Sequence, residues 1–368
     1  MANQAALAET VKFLDLSLPK LSAAEASDIA RREFGLTIEA KQLYGERDAN
    51  FHLRPADGRP GHVLKISNGE EDPAVIDLQT AGLRHIARVD PDLPVPRVVL
   101  SKSGAAVAWV TLAGGTRHMA RVYSFLPGRT LDKVSHRPAL LRDLGCFAAR
   151  LDRALAGFAH PAAAQEIPWD IRHLPRMIGH VDDISGAERR AMVRRVIESF
   201  TAGAMPRLER MRAQVIHNDL NMHNVLVDPA EGDRVAGVID FGDMVAGPLV
   251  MEPAVAATDI WLDKDDPLAA VAEVIGGFHS VLPLNDDEIG LMFDLLLARN
   301  AISVVICARR ARHDPDNPSY LESYYEPCMA ALEQLLSIGH DKVTAAFRAV
   351  TSEAINCKKS SGSHDFED

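Results

Sequence analysis

Residues 217–243 restrict the fold of this chain more than any other stretch. They read His217-Asn218-Asp219-Leu220-Asn221-Met222-His223-Asn224, then Val225-Leu226-Val227, and after a turn Val238-Ile239-Asp240-Phe241-Gly242-Asp243. The runs 224–228 and 235–240 are short and β-like, and Pro229-Ala230-Glu231-Gly232-Asp233 between them has the composition of a turn, which predicts a hairpin. That hairpin sits among segments of helical spacing and ends in carboxylates. A single Asp or Asn near a strand end ordinarily closes a turn or caps a helix. Here Asn224 follows Asp219 by five residues and Asp240 follows Asn224 by sixteen, in order on a strand, a loop and a hairpin. Three such side chains together point to chemistry.

The rest of the chain falls into two parts. Ser22-Ala23-Ala24-Glu25 has the spacing of a capping box, and Ala26, Ile29, Ala30 and Phe34 follow at helical intervals until Gly35, so a leading helix is expected over 22–34. Residues 50–53 and 62–66 predict a hairpin across Pro55 to Pro60, with further strands at 97–100, 107–112 and 118–125 and one helix at 75–89. Leu126-Pro127-Gly128 breaks this pattern. Beyond it Leu140, Leu141, Leu144, Phe147, Leu151 and Leu155 mark an amphipathic helix, and 289–312 and 321–336 read as long helices. The expected fold is α+β: a small antiparallel sheet with a helix in 1–125, a larger, mostly helical lobe in 126–356, and a polar, disordered tail at 357–368. A chain of 368 residues also exceeds the ~250–300 at which a single core tends to divide.

Charge and cysteine usage remove several classes of function. With 40 Lys and Arg against 51 Asp and Glu the net charge is −11, which repels nucleic acid and anionic lipid but leaves metals and amines as partners. Cys146, Cys307, Cys328 and Cys357 form no C-x-x-C pair, which argues against a zinc site or a disulfide framework and for reduced thiols. Pro248, Glu252, Pro253 and Arg299 interrupt the best apolar runs, well short of the ~20 residues of a membrane span. Glu9 and Asp15 lie inside the apolar stretch of residues 1–20, which lacks a basic start, so no signal peptide is expected. A cytoplasmic protein that binds neither nucleic acid nor membrane is the expectation.

The spacing of Asp219, Asn224 and Asp240-Phe241-Gly242 matches the catalytic loop and metal-binding Asp-Phe-Gly of the protein-kinase signature. Phosphoryl transfer needs one group to orient a hydroxyl and others to hold metal against the phosphates. Asp219 is expected in the first role, Asn224 and Asp240 as ligands of Mg2+. His217 reads as a packing and hydrogen-bonding post, and His223 as either loop support or a substrate contact. Residues 217–227 and 237–244 resemble the aminoglycoside phosphotransferase and choline kinase-like superfamily, and within it the hydroxylysine kinase branch. The resemblance implies a two-lobed, protein-kinase-like fold, a purine nucleoside triphosphate (GTP or ATP) as donor, and a hydroxyl on a small amine or amino acid as acceptor. For the hydroxylysine kinase branch that acceptor is 5-hydroxylysine; aminoglycosides, choline and ethanolamine are the rival acceptors, and a non-catalytic nucleotide-binding protein the rival class.

The remaining parts have candidates too. Lys65, in Val63-Leu64-Lys65-Ile66, matches the strand lysine that meets nucleotide phosphates, and a lysine in an apolar strand requires a partner. Asp77 is expected to be that partner, with Glu70 and Glu71 as rivals. Tyr44 to Phe51 would cover the phosphates through backbone amides and Asn50, with Gly45 as its one glycine. Neither a G-x-x-x-x-G-K-[ST] loop nor a G-x-G-x-x-G turn is present, which disfavours P-loop and Rossmann sites. Tyr123 and Phe125, before the Pro-Gly break, are expected to form the hinge whose backbone meets the purine. On the acceptor side Asp243, Glu252 and Asp259 would attract an amine. Arg299, on an apolar helix, needs either an internal carboxylate or that of an amino-acid substrate.

Overall fold

The computed structural model describes residues 18–45, 47–262, 264–313 and 318–361. Ser22 and Glu25 exchange the two hydrogen bonds of a capping box, which starts α1 (Ala23–Phe34); Gly35 ends it at φ +73°. The apolar stripe of α1 lies on an antiparallel sheet made of β1 (Glu39–Leu43), β2 (Ala49–Arg54) and β3 (His62–Ile66), then, after α2 (Pro73–Val89), β4 (Val98–Val99), β5 (Ala108–Thr111) and β6 (Arg117–Ser124). The strand order is β1-β2-β3-β6-β4, with β5 also on β6. Phe51 and Leu53 alternate with more exposed neighbours along β2, as a sheet with one covered face requires. With Leu64, Ile66, Val110, Val122, Ala26 and Ile29 they form a first core.

The second core is larger, and it includes part of the first lobe. Leu78, Leu83 and Ile86 of α2, with Leu93, Val95 and Tyr123, pack into the apolar interior built by residues beyond 126. The break at 126 therefore divides the strands of the two lobes without dividing their cores. The second lobe contains β7 (Arg129–Thr130), α3 (Pro138–Leu155), β8 (Ala213–Ile216), β9 (Val225–Val227), β10 (Val235–Val238) and β11 (Val245–Pro248). It continues with α4 (Met251–Thr258), α5 (Pro267–Val281), α6 (Met292–His313), α7 (Pro318–Ile338) and α8 (His340–Ser361). Helices α3 and α5 meet backbone to backbone: a Cβ on Gly145 would stand 2.0 Å from the Val274 carbonyl, and one on Gly277 2.1 Å from that of Arg142, so both must be glycine. Because α8 runs to Ser361, the start of the expected tail is helical; residues 362–368 lie outside the described residues. Among the described residues no helix is long and apolar enough to cross a membrane.

Two short ribbons place the polar motifs. β8 pairs antiparallel with β11, Ile216 opposite Val245, and β9 pairs with β10, Val225 opposite Val238. The chain leaves β8 into loop 217–224 and enters β9; it leaves β10 into loop 239–244 and enters β11. Both loops consequently emerge side by side.

Candidate active site

Loop 217–224 is held from within. Asp219 accepts from Asn221 Nδ2 at 2.9 Å on Oδ1 and from Asn224 Nδ2 at 2.7 Å on Oδ2. Asn221 Oδ1 in turn accepts from the His223 and Asn224 amides, at 2.8 and 3.2 Å, and closes the turn. Asn218 and Asp240 sit in left-handed backbone at φ +64° and +61°, a conformation Asn and Asp tolerate better than other side chains. His217 is fully buried, accepts the Asp219 N–H at Nδ1 (3.2 Å), and sets its ring edge-on to Phe241. Burial lowers its pKa to about 4, so it is a neutral post as expected.

Burial pushes the Asp219 carboxyl well above the usual carboxylate range, and the charge of Asp243 adds to this. The Arg299 guanidinium opposes them, with Nη2 3.4 Å from Asp219 Oδ1. Arg299 also donates to the Trp169 carbonyl and lies 5.4 Å over the Trp169 ring. Of the two partners left open by the sequence, the structure supplies the internal one. A role for Arg299 as receptor of a substrate carboxylate is corrected accordingly, since both arms are engaged inside the protein.

Lys65 stands across the cleft, its Nζ 3.4 Å from Asp240 Oδ1 and 3.6 Å from Asp48 Oδ2. Burial alone would lower the lysine pKa; Asp240 and Asp48 outweigh it and raise it. Reciprocally, Lys65 is the foremost influence that brings Asp240 down to about 2, with Arg47 and His217 assisting against burial. Asp77, the expected partner, is elsewhere: its side chain is 71% exposed and pairs with His160 at 3.1 Å. The reason is the register of the sheet. Lys65 lies opposite Asn50 on one side and Arg121 on the other, so the β1–β2 loop brings Asp48 over both cations. Arg121, 1% exposed, binds Asp48 at 2.6 Å and Ser67 Oγ at 3.0 Å, and α2 reaches this cluster through Gln79, which accepts from Arg121. Sequence reading missed Asp48, Arg121 and Gln79. The available signal was a second cation in an apolar strand, Met119-Ala120-Arg121-Val122, the same argument that singles out Lys65.

The model of the Phosphotransferase enzyme family matches residues 39–289. The chain belongs to this family. It is similar to the hydroxylysine kinase of Danio rerio, 29% identical over 339 residues that cover 89% of this chain and 95% of the relative. The hydroxylysine kinase of Bos taurus is 30% identical over 350 residues, covering 89% of this chain and 93% of that one. Among solved structures, a microcompartment-associated aminopropanol kinase superposes with a TM-score of 0.67 at 23% identity, covering 85% of this chain and 98% of its own, which shows the shared fold. The enzyme is thus a phosphotransferase with an alcohol group as acceptor, on the two-lobed, protein-kinase-like α+β fold.

Several expected site residues of this phosphotransferase take other places. Asp243 pairs with Arg47 of the β1–β2 loop at 2.9 Å and is buried, so it ties the sheet lobe to the metal motif instead of facing an acceptor. Glu252 is 0% exposed beneath the catalytic loop, where it accepts the Asn218 N–H at 3.0 Å; no acceptor can reach it. Phe125 donates its N–H to the Gly61 carbonyl and stacks on His52, which withdraws that amide from a purine. Tyr123 pairs with Val63 and Val98 on its two sides, so its backbone also belongs to the sheet. Asn50 donates to the Tyr44 carbonyl at 3.0 Å and shapes the turn at Gly45, where a Cβ would collide with the Asp48 carbonyl at 2.1 Å. His223 is half-exposed, 3.6 Å from Asp132 and edge-on to Tyr324. Asp259 approaches the Met222 N–H at 3.4 Å, and burial raises its pKa against the pull of Arg299.

The donor set fits Mg2+. Asn224 spends Nδ2 on Asp219 and keeps Oδ1, while Asp240 remains 49% exposed. Among the described residues no cluster of three or more His, Cys, Asp or Glu forms a dedicated metal cage. One carboxylate and one amide oxygen beside bound phosphates is the pattern Mg2+ uses, since it retains waters and takes few protein ligands.

Proposed function

We propose that this phosphotransferase moves the γ-phosphoryl group of a purine nucleoside triphosphate, GTP or ATP, onto the side-chain hydroxyl of a small amine-bearing amino acid, 5-hydroxylysine foremost. The observation that carries this reading is the charge around loop 217–224. Asp219 and Asp259 both lie in the field of the single guanidinium of Arg299, whereas Asp132, beside His223, is paired with Lys133 at 2.7 Å. An excess of carboxylates around the hydroxyl-binding position draws an amine cation to it. Similarity to hydroxylysine kinases that runs through the helical lobe as well as the sheet supports the same acceptor.

The geometry supports the following chemistry. Asp219 orients the acceptor hydroxyl and takes its proton as the oxygen attacks the γ-phosphorus; the bond to the β-phosphate oxygen breaks and the nucleoside diphosphate leaves. Lys65, held 3.6 Å from Asp48 and 3.4 Å from Asp240, would meet phosphate oxygens. Asn224 and Asp240 would hold Mg2+, which when bound neutralises charge on those oxygens. The test is a panel of hydroxylysine, other hydroxy amino acids, ethanolamine, choline and an aminoglycoside, each with GTP or ATP, with the phosphorylated product identified by mass. Preference for hydroxylysine or a similar hydroxy amino acid is expected. Preference for an acceptor without an amine, or for choline or the aminoglycoside, overturns the reading.

A further inference from the structure

Arg47 and Asp48 are consecutive, yet they bind opposite sides of the cleft. Asp48 turns to the sheet, where Arg121 meets it at 2.6 Å and Lys65 at 3.6 Å. Arg47 donates to Asp243 Oδ1 at 2.9 Å, across 196 residues of sequence and onto the loop that joins β10 to β11. The side chain of Asp243 is 8% exposed and that of Arg47 32%. From the other lobe Gln165 grips the same loop, donating to the Gly242 carbonyl at 3.2 Å and to the Met244 carbonyl at 2.8 Å. Asp240 is held more loosely. Its backbone is left-handed, its side chain is 49% exposed, and its Oδ1 meets the Lys65 ammonium and the Gly242 N–H at 3.4 Å each, the outer limit of a hydrogen bond. Gly242 links this carboxylate to the anchor beside it. A Cβ there would lie 3.3 Å from Asp240 Oδ1, 3.8 Å from Arg47 Nη2 and 4.0 Å from Gln79 Nε2, so the carboxylate, the guanidinium and the α2 amide surround one small residue.

A guanidinium in this position has a rival use, direct contact with the phosphates. The burial of Asp243 argues against it, because departure of Arg47 would strand a carboxylate only 8% exposed without its cation. We propose that Arg47 is a positioning residue for the metal motif: by binding Asp243 it fastens loop 239–244 to the sheet lobe and so keeps Asp240 in place beside Lys65. The two neighbours then divide the work, Asp48 setting the ammonium and Arg47 setting the carboxylate that faces it. Side chains that orient a metal ligand from behind matter to metal affinity nearly as much as the ligand does. The inference rests on Asp240 as a holder of Mg2+, and it is independent of which hydroxyl is phosphorylated.

Arg47→Met and Asp243→Asn should each raise, by about 10–100-fold, the Mg2+ concentration that gives half of the metal-dependent gain in nucleotide affinity by calorimetry. Affinity in chelator should stay at the parent's value in both. Simple electrostatics predicts the reverse for Arg47→Met, since loss of a cation beside Asp240 favours Mg2+; tighter Mg2+ binding in that variant overturns the proposal. The double variant should be no worse than the more affected single one, because both remove the same interaction. A double loss equal to the product of the two single losses overturns it as well. So does a nucleotide affinity in chelator that falls in Arg47→Met and not in Asp243→Asn, which would make Arg47 a phosphate contact. Arg47→Lys keeps the charge without the planar fork and should recover part of the loss. A second readout needs neither metal nor nucleotide. Hydrogen exchange of the amides in 239–244 should quicken in Arg47→Met while β9 exchanges as in the parent, and Asp243→Asn supplies the same comparison if Arg47→Met does not fold. Parent-like exchange in 239–244, or a rise that β9 shares, overturns the anchoring. If the parent's nucleotide binding proves independent of Mg2+, the metal role of Asp240 fails, and the exchange comparison still decides whether Arg47 holds the loop.

Discussion

The guanidinium of Arg299 lies 3.4 Å from Oδ1 of Asp219, and the ammonium of Lys65 lies 3.4 Å from Oδ1 of Asp240. The two pairs act differently on their carboxylates. Lys65 brings Asp240 down to about 2, while Asp219 stays well above the carboxylate range under burial and the field of Asp243, restrained by Arg299. One carboxylate is thus held ionised for a cation, and the other is poised to gain a proton. Separation of two acids by environment is the usual way an active site divides their roles.

Removing Arg299 should move the acid limb of the pH profile. A general base must be ionised to accept the hydroxyl proton. Without the guanidinium, burial and Asp243 act unopposed and the pKa of Asp219 rises further, so Arg299→Met should lose kcat/KM at a higher pH than the parent as pH falls. The acid limb of Arg299→Met should therefore lie measurably to the alkaline side of the parent's. Arg299→Lys should fall between the two. An acid limb common to all three enzymes would assign it to another group.

Asp219→Asn preserves the hydrogen bonds to Asn221 and Asn224 in part but abolishes the base. Loss of a positioned base is worth ~10²–10⁴ in rate, or about 3–6 kcal/mol of barrier. Single-turnover measurement should show that loss with nucleotide affinity retained. Near-parent turnover would take Asp219 out of the chemistry.

The sequence made the loop legible because its chemistry is local: Asp219, Asn224 and Asp240 lie within one strand-loop-hairpin segment, and turn and strand signals suffice to bring them together. Helix α1 was legible for the same reason, since its capping box and stripe lie within 22–34. Partnerships between distant elements were not. Asp48 meets Lys65 because of sheet register, and nothing in the spacing of a loop residue reveals which strand lies beneath it. Strand β1, Glu-Ala-Lys-Gln-Leu, was also hard to see, because it is an edge strand with mostly exposed side chains and lacks clear alternation. Glu252 was misplaced for a further reason. A carboxylate near a motif looks like a ligand group, and only burial reveals that it supports backbone amides.

Asp240→Ala tests the metal role separately from the base. Without that carboxylate Asn224 alone remains to hold Mg2+ against the phosphates. Nucleotide affinity in Mg2+ should fall toward the value measured in chelator, and turnover with it. A variant that binds nucleotide with the parent's dependence on Mg2+ would place the metal on other groups.

Asp48 and Asp77 give opposite outcomes from the same chemical change. Asp48 stands between Arg121, 1% exposed, and Lys65, 17% exposed at its side chain, so Asp48→Asn leaves two buried cations without their shared anion. Breaking a buried pair from one side costs on the order of 3–5 kcal/mol, and Tm should drop accordingly. Lys65 then retains Asp240 as its carboxylate partner, which draws the ammonium toward the metal motif and away from the position shared with Asp48. The KM for Mg-nucleotide should rise as a result. Asp77, 71% exposed at its side chain, has only His160 as ion-pair partner among the described residues, and Asp77→Asn should shift stability by less than about 0.5 kcal/mol. Nucleotide KM should be unaltered in that variant. If Asp77→Asn raises the nucleotide KM while Asp48→Asn does not, the partner of Lys65 in the working enzyme is the one on α2, and the sheet-register argument is wrong.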